Sequence, residues 1–398
     1  MGTLAAANTL GQARLILAGD TSEKPDASIL GAAGVATSER TEGVWHPTSD
    51  RKIRVGIAGY GVCKFGSAFG FQDHPNVTIT AVTDLIPERC QGLAKACRCE
   101  KTFPSLEEML LDDTIEAVFI ATDAPSHAQQ CIQAIRSGKH VATAVPAVFG
   151  SLEDAAELYE TVNMSDRKYM MFETSAFRED CYAMRQIYKA GGFGKLIYTE
   201  GEYYHYLLER IDSFRGWRIG LPPQWYPTHS NAYYNCVTDG SFTEVTCLAM
   251  PSVLPAFQRS ANRYKNPFGT EVALFRTSEG GMARMAVSWD SQGVEQEVGR
   301  VRGSKGAMWG APYHGDFKPE DLPNIKRPLL PPTVQPGGHG GSHGYLMNDF
   351  VESILNDRKP LVDISMALNL TVPGIVAHQS AMKDGETLKV PQYQRLAG

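Results

Sequence analysis

The chain has 398 residues, 43% of them hydrophobic, which is too long for one ordinary core and normal in composition for a soluble globular protein. Its formal net charge is −6, from 38 basic and 44 acidic residues mixed along the sequence; this argues against nucleic-acid and anionic-membrane partners and for a neutral or weakly charged small molecule. No apolar run reaches transmembrane length, and of the eight cysteines only Cys97-Arg98-Cys99 are closely spaced, so they read as reduced thiols with no zinc site.

Residues 1–50 are rich in Ala, Gly, Thr and Ser around a short apolar patch, Leu15-Ile16-Leu17, and read as a flexible arm or an arm that wraps a neighbouring subunit. The expected compartment is the cytoplasm, or the periplasm if the Ala-rich start is a trimmed export signal. A strand over 53–58 then runs into Gly59-Tyr60-Gly61-Val62, with a helix expected to start near Val62, and a strand over 77–83 ends in Asp84. This is the pattern of a dinucleotide site. Gly59 allows the tight turn, Gly61 lets backbone approach a pyrophosphate, and free N–H groups at a helix start meet the phosphates. Asp84 lies where a carboxylate accepts both ribose hydroxyls and repels a 2′-phosphate, which favours NAD over NADP. Lys64 stands where a third glycine is usual, so the helix is expected to pack a little farther from the strand.

Helices at 87–97, 106–111, 126–137 and 152–164 alternate with strands at 117–121, 139–143 and 169–172, and a further helix is read near 180–190. The expected fold class is α/β: a Rossmann domain over 51–175, then an α+β domain over 176–398 with an open, mainly antiparallel sheet. Strands of that sheet are read at 196–206, 242–250, 271–276, 282–289 and 295–302. A Pro-rich connection follows, and Ser342 reads as the N-cap of a helix carrying Leu346, Phe350, Val351 and Ile354 on one face.

The motifs Val55-Gly56-Ile57-Ala58-Gly59-Tyr60-Gly61, Ala117 to Thr122 with His127 five residues on, and Gly138-Lys139-His140-Val141 resemble the Gfo/Idh/MocA family over about residues 53–391. The resemblance implies a sugar or cyclitol oxidoreductase with bound NAD, and it sets Thr122, His127 and Ala144 beside the cofactor together with Tyr60 and Val62. In that family the segment after the fifth strand reads Glu-Lys-Pro, and its lysine assists removal of the substrate hydroxyl proton. Here the segment is Ala144-Val145-Pro146, and the lysine is absent. The subgroup resembling glycoside hydrolase family 109 also lacks it. That subgroup keeps NAD bound, oxidises a sugar hydroxyl, eliminates the leaving group, adds water and returns the hydride. Met170-Met171-Phe172-Glu173, Glu200-Gly201-Glu202-Tyr203-Tyr204-His205 and Tyr226-Pro227-Thr228-His229 are similar to it, and the likeness carries Glu173, Tyr203, Tyr226 and His229 onto catalytic or substrate-contacting positions.

Chemically, Tyr226 and His229 flank Pro227, which is expected to hold an extended backbone in an irregular loop with both side chains in one cleft. His229 suits a general base; the alternative is a loop histidine bonded to backbone. Tyr203 and His205 share a strand face, where Tyr203 is either a proton relay toward the nicotinamide or an aromatic sheet residue with a solvated hydroxyl. Glu173 ends a parallel strand at its carboxyl edge, where it would polarise a hydroxyl or orient the nicotinamide amide. His339 and His343 frame a glycine run and read as a substrate loop rather than a metal site, since no third ligand follows from the spacing. Trp217, Arg218 and Trp225 around Pro222-Pro223 suit a sugar ring, or else form a proline-packed loop. The expected activity is hydride transfer from a ring carbinol of a sugar or glycoside, redox-neutral with elimination and hydration; the alternatives are a simple NAD-dependent dehydrogenase and a non-catalytic nucleotide-binding protein. The expected partner is a small carbohydrate, and the open sheet face suggests a homodimer or homotetramer.

Overall fold

The computed structural model describes residues 44–207, 213–293 and 296–394. Of the arm expected over 1–50, residues 1–43, including Leu15-Ile16-Leu17, lie outside the described residues, as does Glu295 of the strand read at 295–302. The described end of the arm is tied down: Thr48 donates to Glu352 (2.9 Å), and the Ser49 and Arg51 carbonyls accept from Asn76 (2.6 and 2.8 Å).

The first sheet contains β1 (Ile53–Ala58), β2 (Val77–Thr83), β3 (Thr102–Phe103), β4 (Ala117–Ile120), β5 (His140–Thr143) and β6 (Tyr169–Met171) in the order β3-β2-β1-β4-β5-β6, every pair parallel. Strands β4, β5 and β6 are buried at every position, so they read as apolar runs rather than as alternating patterns. The connecting helices are α1 (Phe65–Ala68), α2 (Pro87–Cys97), α3 (Leu106–Leu110), α4 (His127–Arg136) and α5 (Leu152–Asn163). Ser151 starts α5 by accepting from the Asp154 N–H at 3.0 Å. Along α4, Ala128, Cys131, Ile132 and Ile135 supply the buried face at helical spacing.

After α6 (Glu179–Lys189), the second sheet comprises β7 (Leu196–Tyr204), β8 (Phe242–Pro251), β9 (Phe268–Thr277), β10 (Met282–Ser288), β11 (Gln296–Gly303), β12 (Gly306–Trp309), β13 (Tyr313–Gly315) and β14 (Leu388–Lys389). Its order is β13-β12-β11-β7-β10-β9-β8-β14, antiparallel except for the parallel pair β7/β10. One face is the core, with Val245, Ala273, Phe275, Met285 and Val301 buried. The other face is open and carries ion pairs between Arg284, Arg300, Glu200 and Glu202. No helix among the described residues is long and apolar enough to cross a membrane.

The inner face is covered by α7 (Thr228–Thr238), buried from Thr228 to Val237. Two glycines make room for it. Gly201 of β7 pairs with Gly299 of β11, and a Cβ on either would fall 2.0 Å from the Ser230 carbonyl oxygen or 1.9 Å from the Tyr233 ring. The single turn α8 (Gly338–Gly341) leads to α9 (His343–Leu355), and α10 (Ile364–Ala381) packs against α5, β6, α7 and β8, so one helix touches both sheets.

Several expectations change. The helix expected near Val62 is absent: Gly61 to Lys64 form a turn, Lys64 is left-handed (φ 50), and α1 is only four residues long. The Tyr226–His229 segment is no irregular loop. Pro227 has near-helical angles (φ −91, ψ −8) as the N-cap of α7, because a proline fits a helix start, where the missing N–H costs nothing. Helix α10 is missed because it is apolar on all sides and contains Pro373, which defeats a search for one apolar face. Ser342 holds the N-cap position of α9 without a capping hydrogen bond. Since Gly201 admits α7 only by lacking a side chain, Gly201→Ala should destabilise the protein by about 1–3 kcal/mol, read as a lower thermal unfolding midpoint; an unchanged midpoint would show that the helix does not rest on this strand.

Candidate active site

Two adjoining cavities lie above the carboxyl ends of the parallel strands. The first is lined by all eight residues expected at the cofactor: Gly59, Tyr60, Gly61, Val62, Asp84, Thr122, His127 and Ala144. Gly59 has φ +100, and a Cβ there would lie 2.4 Å from the Ala121 carbonyl oxygen, so the turn across β4 admits glycine alone. A Cβ on Gly61 would meet nothing within 4 Å, which leaves open space beside bare backbone where a diphosphate would lie. Asp84 accepts from the Tyr60 N–H (2.6 Å) and the Ile86 N–H (2.9 Å), so the carboxylate that faces this cavity also fixes the glycine turn. The third glycine of the fingerprint is displaced, not lost. A Cβ on Gly66 would lie 2.4 Å from the Gly59 carbonyl oxygen and 2.9 Å from Leu93, which is the close helix-to-strand approach otherwise expected two positions earlier. These residues fit a dinucleotide: Gly59 to Val62 would hold the diphosphate, Asp84 a ribose, and Thr122, His127 and Ala144 the nicotinamide half.

The second cavity shares Val62, Cys63, Ala144, Val145, Arg218 and Tyr226 with the first, so the Ala144-Val145-Pro146 segment stands at their junction. His127 holds that segment by donating Nδ1–H to the Pro146 carbonyl at 2.9 Å. The second cavity is further lined by Tyr203, His205, His229, His339 and His343. Tyr203 and His205 do share a face, with ring centroids 6.1 Å apart, and Tyr203 packs on Tyr226 (6.1 Å) and His229 (4.7 Å).

Glu173 is 0% exposed and touches neither cavity. Its expected contact with a hydroxyl or with the nicotinamide is therefore replaced by one with protein: Oε1 accepts from the Ser175 N–H (2.8 Å) and from His229 Nδ1 (2.9 Å). Burial, the largest single influence, would raise this carboxyl, but the His229 charge and hydrogen bond together with hydrogen bonds from Thr228 and the Ser175 N–H hold it below its ordinary range. Burial alone would lower His229, yet the Glu173 and Glu297 carboxylates raise it to about 9. With Nδ1 engaged, Nε2 is the nitrogen left for the cavity. The expectation that His229 is a resting general base is thereby corrected, since at neutral pH an imidazolium donates and cannot accept. Burial also raises Tyr226, to about 12, and Tyr203, so both hydroxyls stay neutral donors.

The tryptophan loop divides. Trp217 lines the cofactor cavity, with the Arg218 guanidinium 4.2 Å over its ring, and Arg218 reaches both cavities. Trp225 faces neither: it packs on Phe149 (5.3 Å), Tyr264 (5.5 Å) and His378 (5.6 Å), because Gly150 leaves space for its ring. It is a packing residue, and the sugar-contact expectation for it fails. His343 is also reassigned, since Nδ1 bonds the Ala68 carbonyl (3.1 Å) and Nε2 bonds His339 Nδ1 (2.8 Å), leaving neither nitrogen for a ligand. Among the described residues no group of three His, Cys, Asp or Glu side chains is placed to hold a metal ion.

Residues not foreseen from the sequence support the site. Glu271 accepts from the Gln224 N–H (2.6 Å) and from His378 Nδ1 (2.6 Å), and the Gln224 amide reaches the Met285 carbonyl (3.1 Å). This fixes the segment that ends in Tyr226. Gly374 of α10 lets it pass, since a Cβ there would lie 2.0 Å from the Gln224 carbonyl oxygen. The only sequence signal was a glutamate inside a strand otherwise reading as core.

Comparison with known proteins agrees with this layout. Residues 53–173 match the model of the oxidoreductase family with an NAD-binding Rossmann fold. A glycosyl hydrolase family 109 protein of Saccharopolyspora erythraea is 22% identical over 386 residues, covering 86% of this chain and 83% of that protein. Another, from Bacteroides fragilis, is 32% identical over 166 residues, covering 39% and 35%. Among solved structures, levoglucosan dehydrogenase in complex with NADH and levoglucosan superposes with a TM-score of 0.69 at 16% identity, over 86% of this chain and all of the other. Myo-inositol 2-dehydrogenase from Lactobacillus plantarum gives 0.67 at 18% identity, over 86% and 100%. Residues 53–173, with the glycine turn and Asp84 in place, thus match the NAD-binding Rossmann domain of the Gfo/Idh/MocA oxidoreductase family.

Proposed function

We propose that this protein oxidises a ring carbinol of a sugar or glycoside with a tightly held NAD, and that turnover is redox-neutral, with elimination and hydration between the two hydride transfers. The observation that carries this reading is that Ala144 and Val145, whose side chains carry no proton, line both cavities, while a histidine-tyrosine cluster lines the second. The names of its relatives, family 109 glycosyl hydrolases and sugar or cyclitol dehydrogenases, agree in substrate class. NAD, when bound, would take the hydride from the carbinol carbon and hand it back. The protein's own part is to hold the substrate oxygens. His229, protonated on Glu173, would donate from Nε2 to the reacting oxygen; Tyr226 and Tyr203 would donate as neutral hydroxyls; and the Arg218–Trp217 pair would close the wall between cofactor and sugar.

Incubating the protein with methyl and p-nitrophenyl hexosides in deuterated water should put deuterium on a ring carbon next to the oxidised one, with NAD copurifying and no net NADH released. Stoichiometric NADH would instead select a simple dehydrogenase. Absence of both exchange and reduction would leave only a nucleotide-binding role.

The Glu173–His229 pair also sets a pH dependence. A donor held at about 9 keeps its proton below that pH and loses it above, so the rate should fall on the alkaline side near pH 9. In Glu173→Gln the direct carboxylate partner is gone while burial and the Glu297 charge remain, so His229 should titrate lower and the alkaline limb should move to lower pH. A limb that stays near 9 would exclude His229 as the donor.

We further propose that the open face of the second sheet is a contact between subunits. Leu248, Met250, Leu274, Met282 and Trp309 are exposed on it together, and a soluble monomer rarely leaves such a face bare. A homodimer or homotetramer is the expected species by light scattering, and a mass equal to one chain would refute this. Eight free cysteines, seven of them buried, suit a reducing compartment, and we place the protein in the cytoplasm.

A further inference from the structure

We propose that the leaving group of the glycoside is apolar, and that Leu207, Leu221 and Trp289 form the subsite that takes it. The inference rests on the carbinol-oxidation reading above and names the aglycone, which that reading leaves open.

Strand pairing brings the three side chains together. β7 and β10 run parallel with Tyr203 beside Val287, and the pairing continues past both strand ends: the His205 N–H donates to the Ser288 carbonyl (2.9 Å) and the Leu207 N–H to the Trp289 carbonyl (2.9 Å). Alternation then sets Leu207 on the face of Tyr203 and His205, and Trp289 on the face of Val287. Leu221 is tied to this wall by accepting from Trp289 Nε1 at 2.8 Å. All three residues are buried although they line a cavity, so this end of it is enclosed.

Their place in the site is that of a leaving group. They line the second cavity and not the first, so they stand away from the cofactor. Tyr226 lines both cavities, Tyr203 packs on Tyr226 with ring centroids 6.1 Å apart, and Trp289 packs on Tyr203 at 5.7 Å. A glycoside whose reacting ring lies between the cofactor and the Tyr203–His229 cluster therefore extends its far substituent toward Trp289.

The backbone makes this wall as apolar as its side chains do. The Trp289 N–H goes to the Gly269 carbonyl (2.8 Å), the Leu221 N–H to the Arg218 carbonyl (3.3 Å), and the Leu207 and indole N–H groups are engaged as above. Every N–H of the three residues is thus spent within the protein. A second sugar placed here would lose water from its hydroxyls and meet no donor in return, which costs affinity. An alkyl or aryl group gains by the same transfer out of water. Elsewhere the cavity carries Tyr203, His205, His229 and Arg218, which suit sugar hydroxyls. One polar and one apolar wall match a ligand built the same way.

Two readouts on the full-length protein test this. The first needs no turnover: calorimetry with methyl, butyl and phenyl hexosides and with a disaccharide of the same hexose. The butyl or phenyl hexoside should bind about tenfold or more tighter than the methyl one, with a more negative heat-capacity change, and the disaccharide should gain nothing. The larger gain of the two identifies an alkyl or an aryl aglycone. Equal affinities, or a disaccharide that binds tightest, overturn the proposal. The second is kinetic. Methanol and butanol leave about equally well, so the butyl-to-methyl ratio of kcat/KM reports the subsite rather than the chemistry. It should be about tenfold or more in the wild-type protein and fall toward one in Leu207→Ala. A wild-type ratio near one, or a ratio unchanged in the folded variant, overturns the assignment. If the wild-type protein transfers no hydride from any hexoside, the sugar-oxidation reading fails on its own, and the calorimetric comparison still decides whether the cavity holds an apolar subsite.

Discussion

The site depends on one buried ion pair, His229 on Glu173. His229 sits in the first turn of α7, where the helix dipole disfavours a cation, and burial disfavours it again. Glu173, without solvent contact, is no better placed to be an anion. Each charge exists because the other is 2.9 Å away. Removing Glu173 would leave burial opposed by Glu297 alone, and His229 would hold its proton less readily. The carboxylate follows the last strand of the parallel sheet and the imidazole starts the helix lying on the other sheet. The pair therefore joins the two layers beside the second cavity, which His229 lines.

A second buried contact, His378 Nδ1 with Glu271 at 2.6 Å, supports the site from behind. The Glu271 carboxylate also takes the Gln224 N–H and so fixes the segment ending in Tyr226, while Gly374 allows that segment to lie against α10. The glycines Gly201 and Gly299 act similarly for α7, by letting a helix rest on backbone rather than on side chains. A site whose donors must meet one oxygen needs such support, since errors of about an ångström cost catalysis heavily.

The nucleotide half was legible in the sequence because its chemistry is local: Gly59, Gly61 and Asp84 act through backbone geometry and spacing that one βαβ unit dictates. Gly66 was not recognised as the third glycine, because the turn inserts a left-handed Lys64 and shifts the close contact by two residues. Tyr203 and His205 could be placed on one face since strand alternation is robust. Helix α7 was not foreseen. Its Thr-His-Ser-Asn start has weak helix propensity, and it is helical because both sides are buried. The linkage of Glu271 to His378 joins residues 107 positions apart, which no sequence period encodes.

The missing lysine is best understood electrostatically. A lysine at the junction would be a cation beside His229, and two cations in one water-poor site repel strongly. With Val145 there instead, Glu173 meets His229 directly at 2.9 Å and reaches His339 only across space. Burial and the His229 charge both keep His339 below its ordinary range, so a further cation at the junction would act against both histidines at once.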